Sequence, residues 1–262
     1  MIKHLNDVNF LELDDSIKNK TEYKSKMFGN FIILSYRNAR NVSVKFIDTG
    51  YRCEVELVEI RRGMVKDRYA PSVWGVGFIG TKYQTKVKGV LLKEYRTWID
   101  MLKRCYDDNY KRKTLTYRYC VVSDKFKSYE YFYDWCNRQV GFGVDGFELD
   151  KDLLTKGNKL YSENTCVFLP HEINSALVKC DKSRGANLIG VYFDSKSNKY
   201  SANFNNLSGK KYLGTFKTEI EAFNAYKKAK ENYLKELANK WKGKIDDRAY
   251  EALMNYTVEI TD

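Results

Sequence analysis

The sequence has few of the features that are typical of secreted disulfide-bonded proteins, zinc-binding proteins or membrane proteins. Its 262 residues include only 2 prolines and 2 histidines, and its 6 cysteines form no CxxC pair. That pattern argues against both a disulfide framework and the usual zinc knuckle. No apolar run approaches the length of a membrane span, and residues 1–15 are too acidic and polar for a signal segment. We therefore expect a soluble protein of a reducing cytoplasm.

Four cysteines leave one metal hypothesis open. Together they supply enough thiolates for a tetrahedral zinc site: Cys105, Cys120, Cys136 and Cys166. Their spacing lacks the paired ligands of a knuckle, so we prefer the interpretation that they pack as small buried hydrophobes.

Acidic residues are outnumbered by basic ones. Lys and Arg total 46 against 34 Asp and Glu, which gives a formal net charge of +12 and a pI of about 9.2. Surplus positive charge favours polyanions, because each neutralised phosphate releases condensed counterions. The 21 tyrosines add rings that pack and hydroxyls that bond to phosphates or bases. The composition therefore favours a nucleic-acid partner, with a merely basic soluble protein as the alternative.

The first third of the chain predicts a polar arm followed by a small β-module. Residues 1–24 have arm-like composition, and strands are predicted at Asn30–Tyr36, Val42–Phe46 and Tyr51–Ile60 between turn-type clusters. We interpret residues 25–80 as a small antiparallel β-barrel, which resembles the barrel modules at the N-terminus of many phage DNA-binding proteins. Its candidate phosphate contacts, or else a solvated rim, are Arg37, Arg40, Arg61, Arg62 and Lys66.

The middle of the chain predicts two amphipathic helices. One covers residues 94–106, and its apolar residues fall at i, i+3, i+4 and i+7: Trp98, Met101, Leu102 and Cys105. The other covers residues 126–139. A stripe of this kind is core, so we assign these helices a scaffolding role.

Residues 149–174 predict the order strand, loop, strand, helix. Asp150 ends the first strand, Gly157 and Asn158 mark a turn-rich loop, and an apolar strand at 166–169 leads into a helix from Pro170. The intervals between four polar side chains suit placement on one side of this unit: Asp150, Asn164, His171 and Asn174.

This stretch, within a module at residues 90–180, resembles the HNH (ββα-metal) endonucleases of phages and mobile elements. Asp150 falls on the family's strand Asp, Asn164 on its central Asn and Asn174 on its helical metal-ligand position, while Lys151 stands where the family has a His. The resemblance implies Mg²⁺ or Mn²⁺ held by Asp150 and Asn174, and hydrolysis of a DNA phosphodiester.

The functional hypotheses differ in the role they give to Lys151, which stands where the HNH family has a histidine. Lys151 is a cation at neutral pH, since an ordinary Lys pKa is ~10.4; it suits phosphate binding better than proton abstraction. His171 is the alternative base or extra ligand, or else a plain surface histidine. The hypotheses are a metal-dependent DNA nickase or endonuclease, a catalytically inactive site-specific DNA-binding regulator on a degenerate core, and a protein-binding inhibitor or RNA-binding factor.

The last part of the chain, residues 186–262, predicts three strands and a helix after a basic linker at 178–187. The strands are predicted at 189–193, 199–205 and 210–216, and the helix begins at Thr218 with the capping-box residue Glu221. A short helix at 246–254 and an edge strand at 256–260 complete the prediction. Alternation along the middle strand gives one apolar and one polar face.

The runs GVYFDSKSNKYSANF, KKYLGTFKT and EAFNAYKKA resemble an Apetala-type (ethylene-response-factor-like) DNA-binding domain. That family lays a three-stranded sheet in the major groove and backs it with a helix. The reading strands here lack the family's several Arg and Trp, so base preference does not transfer, although Asn suits adenine. The candidate DNA contacts, or else a solvated sheet face, are Tyr192, Lys199, Ser201, Asn203, Asn205 and Lys211. Overall we expect an α+β protein of three modules that binds double-stranded DNA, in a bacterial cytoplasm and of phage or mobile-element type.

Overall fold

The structure, a computed structural model, describes residues 13–178, 187–206 and 209–262. It contains both helices and antiparallel strands, which confirms the mixed class expected from the sequence. Most of the predicted linker, half of the polar arm and two residues of the last strand-connecting turn lie outside the described residues. Among the helices described, none is long and apolar enough to cross a membrane.

The chain divides into two compact units, Met1–Asp134 and Trp135–Asp262. The strands of the first unit are β1 (Glu22–Ser25), β2 (Gly29–Asn38), β3 (Asn41–Phe46), β4 (Arg52–Val55), β5 (Lys86–Val87), β6 (Val90–Leu91) and β7 (Val121–Val122). Its helices are α1 (Leu13–Lys18), α2 (Leu57–Arg62), α3 (Lys93–Tyr106), α4 (Asp108–Lys113), α5 (Asp124–Lys127) and α6 (Tyr129–Cys136), and the last of these ends just inside the second unit.

The first four strands form an antiparallel meander in chain order. In β3 the residues Val42, Val44 and Phe46 alternate inward and are buried, and Leu57 and Ile60 of α2 close the core above them. Within the described chain β1 and β4 are the two edges. The predicted barrel is therefore an open sheet covered by a helix.

Two predictions for this region were wrong in their boundaries. The strand predicted at Tyr51–Ile60 ends at Val55, because Glu56 and Glu59 form a reciprocal capping box that starts α2. Gly63, with φ of 65°, ends that helix in a left-handed conformation. The described part of the predicted polar arm is also structured, since β1 pairs with β2.

The predicted helical stripe of the middle region is confirmed. Trp98, Met101, Leu102 and Cys105 of α3 are all buried. The second predicted helix is two short helices, α5 and α6, because Ser128 between them has an extended backbone and bridges to Phe78. Helices are therefore observed in both predicted places, the second in two pieces, and their scaffolding role stays a prediction.

The second unit begins with the ββα element. The strands of the second unit are β8 (Phe147–Asp150), β9 (Leu160–Tyr161), β10 (Val167–Pro170), β11 (Val191–Asp194), β12 (Lys199–Asn206) and β13 (Gly209–Phe216). The helices that follow α6 in this unit are α7 (His171–Leu177), α8 (Glu219–Lys240) and α9 (Asp247–Met254). Strand β10 pairs antiparallel with β8 and α7 follows at once, so the predicted strand, loop, strand, helix order is confirmed. The edge strand predicted at 256–260 is wrong: those described residues are not in a strand.

A three-stranded antiparallel sheet with the order β11–β12–β13 follows. Its inner face carries Ala202 and Phe204, which pack against Ala222, Phe223 and Tyr226 of α8. The Thr218 and Glu221 side chains form the predicted capping box at the start of α8. Three strands backed by one helix are therefore observed where the sequence predicts them.

Helix α8 belongs to two hydrophobic cores. Its first half covers the three-stranded sheet, while Leu234, Leu237 and Ala238 of its second half pack with Val167, Leu169 and Ile173 of the ββα element. Tyr233 contacts both cores. The regions that the sequence suggests as two modules, residues 90–180 and 186–262, thus share one helix.

Candidate nucleic-acid interface

The outer face of the three-stranded sheet is exposed and polar. Residues paired across antiparallel strands point to the same side, and pairing partners of Ala202 and Phe204 point toward α8. The opposite, open face consists of three cross-strand rows: Tyr192–Ser201–Thr215, Asn203–Tyr212 and Asn205–Lys210. Tyr192 is 44% exposed and Tyr212 is 61% exposed. A large fraction of each ring is therefore available to a partner.

The chemistry of this face suits a phosphate-rich partner with hydrogen-bonding edges. The Lys210 Nζ lies 5.1 Å from the centre of the Tyr192 ring, and the hydroxyls of Tyr212 and Thr215 share a hydrogen bond. Amides of two asparagines lie between these groups. Asn side chains both donate and accept hydrogen bonds, so the face can bind an edge that presents both.

Five of the six predicted contacts of this sheet share the open face, by strand alternation and pairing: Tyr192, Lys199, Ser201, Asn203 and Asn205. Lys211 does not share it, because it pairs with the inward-facing Phe204. The register shifts by one residue between Ala202 and Asn203, and such a bulge reverses which side the next residues take. Lys210 therefore occupies the position expected for Lys211.

Three residues of this face were missed by sequence reasoning: Lys210, Tyr212 and Thr215. Uninterrupted alternation along β13 groups Lys211 with Thr215, whereas the bulge groups Lys210 and Tyr212 with it. Gly214, with φ of 132°, was the available signal, because an isolated Gly inside a strand often marks a bulge.

The predicted basic residues of the first unit are all exposed, but they lie at two places. Arg37 and Arg40 flank the β2–β3 turn, which meets the start of α2 through the Leu57 N–H bond to the Ala39 carbonyl, 2.8 Å long. Arg61 and Arg62 lie in the last turn of α2, with Lys66 beyond it. This unit therefore presents two small basic groups.

In the ββα element, Asp150 serves the backbone. Its Oδ2 accepts hydrogen bonds from the N–H groups of Asp152, at 2.9 Å, and Leu153, at 2.8 Å. Burial raises the pKa of this carboxyl, and those backbone hydrogen bonds only partly oppose the effect. The carboxylate stabilises the turn after β8, which limits it as a metal ligand.

Lys151 is buried, with 2% of its side chain exposed. Its Nζ donates to Asp152 Oδ1 at 2.6 Å and to the Asn158 carbonyl at 2.9 Å, and it lies 5.7 Å from the centre of the Tyr161 ring. A side chain so enclosed is not presented to a phosphate backbone. The predicted phosphate-binding and catalytic roles are therefore unsupported, and Lys151 instead holds the loop that links β8 and β9.

A polar cluster that the sequence did not predict as a whole surrounds the start of α7. His171 Nδ1 lies 2.9 Å from Glu148 Oε1, and Asn174 Nδ2 donates to Glu148 Oε2 at 3.0 Å. Ser175 Oγ lies 3.0 Å from His171 Nε2. Glu148 and Ser175 were missed, although Glu148 lies two residues before Asp150 and Ser175 four after His171, the same-face spacings of a strand and a helix. The cluster orients an exposed imidazole.

One oxygen of this cluster has no partner. The Asn174 Oδ1 is buried and makes no hydrogen bond within the described chain, and a carbonyl oxygen is a ligand that Mg²⁺ and Mn²⁺ accept. Asn164 lies apart, exposed in the turn before β10. Asn174 thus fits a hard cation, whereas Asp150 is largely committed to the backbone.

The zinc hypothesis gains no support. The four candidate cysteines are buried and are not paired in disulfides, and burial raises the pKa of Cys166 to about 12, which opposes the thiolate that zinc requires. Over the described ranges, no group of three or more His, Cys, Asp or Glu residues is arranged to hold a metal.

Comparison with known proteins adds no relative: no family model, no curated protein and no solved structure matches this chain. The resemblances to HNH endonucleases and to Apetala-type domains therefore stay predictions from motifs. The class that the fold itself defines is a mixed helix-and-strand protein with an exposed polar sheet in its second unit.

Proposed function

We propose that this protein binds double-stranded DNA through the open face of the β11–β12–β13 sheet. The observation that supports the proposal most is the set of three cross-strand rows, which align two tyrosines, two asparagines and Lys210 on one exposed surface. The net charge of +12 adds a general attraction to phosphates. The major groove is about 12 Å wide and admits β-structure.

The roles within the face follow from side-chain chemistry. Lys199 and Lys210 contact phosphates, which fix position without reading sequence. Asn203 and Asn205 reach base edges, where an amide suits adenine, so the preferred site is rich in A·T pairs. The helix α8 keeps the sheet rigid, since Ala202 and Phe204 pack directly on it. Binding therefore requires little reordering of the protein.

The finer architecture belongs to the same proposal. The covered sheet of the first unit, the HNH-like ββα element and the Apetala-like sheet with its helix act as three DNA-facing modules. The two exposed basic groups of the first unit supply further phosphate contacts. Such a protein acts in the bacterial cytoplasm on behalf of a phage or mobile element, as a site-specific regulator.

Fluorescence anisotropy with labelled duplexes tests the binding. Selection from a randomised duplex pool first supplies a preferred site, and affinity is then measured between 50 and 200 mM salt, the range over which phosphate contacts lose roughly 10³–10⁵ in affinity if there are six to ten. Asn203→Ala with Asn205→Ala is expected to weaken preference for that site. The control is Asn164→Ala, an exposed asparagine outside the sheet. Affinity that does not change with salt contradicts the proposal.

A second candidate function, metal-dependent hydrolysis of a DNA phosphodiester, is favoured by one observation: the buried, unpartnered Asn174 oxygen next to the Glu148–His171 pair. Asn174 would be the ligand for Mg²⁺ or Mn²⁺, while Asp150 is limited by its backbone hydrogen bonds; the cation supplies Lewis-acid stabilisation of phosphate charge when bound. His171, oriented by Glu148, takes a proton from the attacking water.

Nicking of supercoiled plasmid separates the two candidates. Wild-type protein with Mg²⁺ or Mn²⁺ is compared with a chelator control and with the variants Asn174→Ala and His171→Gln. Metal-dependent nicking lost in both variants supports hydrolysis. Salt-sensitive binding without nicking supports the regulator, in which the ββα element is only a scaffold.

A further inference from the structure

The segment between α3 and β7 in the first unit exposes apolar and aromatic side chains among cations. Tyr119 is 70% exposed and Leu115 is 58% exposed. Leu115 begins a 3-10 turn, Leu115–Tyr117, and Tyr119 lies two residues beyond its end. Exposed apolar and aromatic side chains mark a binding surface where they form one patch with a polar rim, whereas isolated ones do not.

The charge of this segment is unbalanced. Residues 103–119 contain two acidic residues, Asp107 and Asp108, against six basic ones: Lys103, Arg104, Lys111, Arg112, Lys113 and Arg118. Asp107 caps α4 by accepting from the N–H groups that follow it, and Asp108 pairs with Lys111 at 3.1 Å. Both acids are thus engaged locally, and the six basic against two acidic residues give this segment a formal charge of +4.

Aromatic rings and guanidinium groups lie close together here. The Arg118 guanidinium carbon lies 5.6 Å from the centre of the Tyr119 ring, and that of Arg104 lies 5.7 Å from the centre of the Tyr117 ring. The rings of Tyr110 and Tyr117 have centroids 5.7 Å apart. The contacts of Tyr117 hold the turn in place, whereas Tyr119 extends beyond it. The fixed turn therefore presents an exposed ring next to a guanidinium.

We propose that this surface, defined by Arg112, Lys113, Leu115, Arg118 and Tyr119, binds single-stranded DNA. Exposed aromatic rings stack on bases, and adjacent cations track the phosphates, which together form the common chemistry of single-strand binding. A duplex hides its base faces in the helical stack, so only an unpaired strand offers both partners. The charge excludes a basic partner. The inference uses none of the sheet residues and does not depend on duplex binding.

Fluorescence anisotropy with a labelled mixed-sequence single strand tests the surface in the full-length protein. Tyr119→Ala is expected to weaken single-strand binding about tenfold, as for the loss of one base–ring stack. Tyr119→Phe keeps the ring and is expected to stay within about twofold of wild type. Because Tyr119 is largely exposed, the thermal unfolding midpoint of both variants is expected to match wild type.

Two further arms locate the site. Lys113→Ala is expected to reduce the salt dependence of single-strand binding by about 0.7 in the log–log slope, the value for one phosphate. Tyr212→Ala, an equally exposed tyrosine on the sheet of the second unit, is the matched control and should leave single-strand affinity unchanged while it weakens duplex binding.

The outcomes separate this inference from the proposed function. Unchanged single-strand affinity in Tyr119→Ala overturns the surface, as does an equal loss in Tyr212→Ala. Tighter binding of an RNA of the same sequence overturns the assignment to DNA. Absence of duplex binding, with single-strand binding that still depends on Tyr119, contradicts the proposed function and leaves this surface supported.

Discussion

The ββα element and the three-stranded sheet lie in one unit but use their polar residues differently. In the ββα element, the half-buried Asp150 accepts hydrogen bonds from two backbone N–H groups, and the buried Lys151 donates to Asp152 and to the Asn158 carbonyl. In the sheet, the polar residues of β12 stand on an open face with Tyr192 and Tyr212. The first region uses charge to hold a loop, whereas the second presents hydrogen-bonding groups to a partner.

This difference shows which kind of sequence pattern predicts the direction of a side chain. The alternation of a two-sided strand states which residues face outward, because the apolar set must be buried. A family position states only where a residue falls along the chain. The predicted resemblance to HNH endonucleases places Lys151 at a histidine position, whereas in the structure its long side chain carries the ammonium to Asp152 and the Asn158 carbonyl.

The largest expected effect is on the stability of the protein, and it compares a buried lysine of the ββα element with an exposed lysine of the sheet. Lys151→Ala is expected to lower the free energy of unfolding by about 2–3 kcal/mol, because it removes a buried side chain and leaves a partly buried carbonyl and a carboxylate without their donor. Lys199→Ala, on the open sheet face, is expected to change stability by less than about 0.5 kcal/mol. Urea unfolding measures both. Equal stability of the two variants would contradict the structural role of Lys151.

The next effect separates neighbouring lysines on opposite faces of β13. Lys210→Ala is expected to weaken duplex binding several-fold and to reduce its salt slope by about 0.9, the value for one phosphate. Lys211→Ala is expected to change affinity by less than about twofold, because it lies on the side of Phe204. Anisotropy titrations at several salt concentrations measure both. A larger loss of duplex affinity in Lys211→Ala than in Lys210→Ala would contradict binding of DNA to the open face of the sheet.

A smaller effect concerns pH. Burial raises the pKa of Asp150 above its usual 3.8, so the folded protein holds the proton more tightly than the unfolded chain. The stability of wild type relative to Asp150→Asn is therefore expected to fall as pH rises through the raised pKa. The amide oxygen of Asn still accepts the two N–H bonds. Urea unfolding of both proteins at pH 4, 5, 6 and 7 measures the trend; a difference independent of pH would argue that the carboxyl is not desolvated.

The smallest effect is expected at the exposed His171–Glu148 pair. His171→Ala should change stability by less than about 0.5 kcal/mol, because exposed ion pairs contribute little. It should also leave duplex binding unchanged if the ββα element is a scaffold. A fall of about 10²-fold or more in the rate of plasmid nicking by this variant, without loss of binding, would instead indicate a catalytic role for the ββα element. The ββα element would then not be purely structural.

Much of the secondary structure could be predicted from periodicity and caps. The apolar stripe from Trp98 to Cys105 predicts an amphipathic helix, and the capping box formed by Thr218 and Glu221 predicts the start of another. The structure contains both helices. The helix α2 was missed because its capping box uses Glu56, a residue that is uncommon at that position. The bulge in β13 was missed because register depends on pairing across strands, which a single strand does not reveal.

The candidate site was predictable only in part. The open-face residues of β12 follow from alternation alone, so they could be named in advance. The Glu148–His171–Asn174 cluster could not, because it joins a strand and a helix whose crossing is set by the packing of Leu169 and Ile173 in the core. The burial of Lys151 depends on a loop of irregular structure, for which sequence periodicity carries no information.

The sharing of α8 sets how the second unit can be divided. A fragment that keeps residues 187–262 but lacks the ββα element would retain α9 in this core but lose Val167, Leu169 and Ile173, which would expose part of the apolar stripe of the 22-residue helix at Leu234, Leu237 and Ala238. Such a stripe drives self-association in water. The sheet therefore cannot be transferred to another protein without the ββα element. Hydrogen exchange should show the sheet and the ββα element opening together as one cooperative unit.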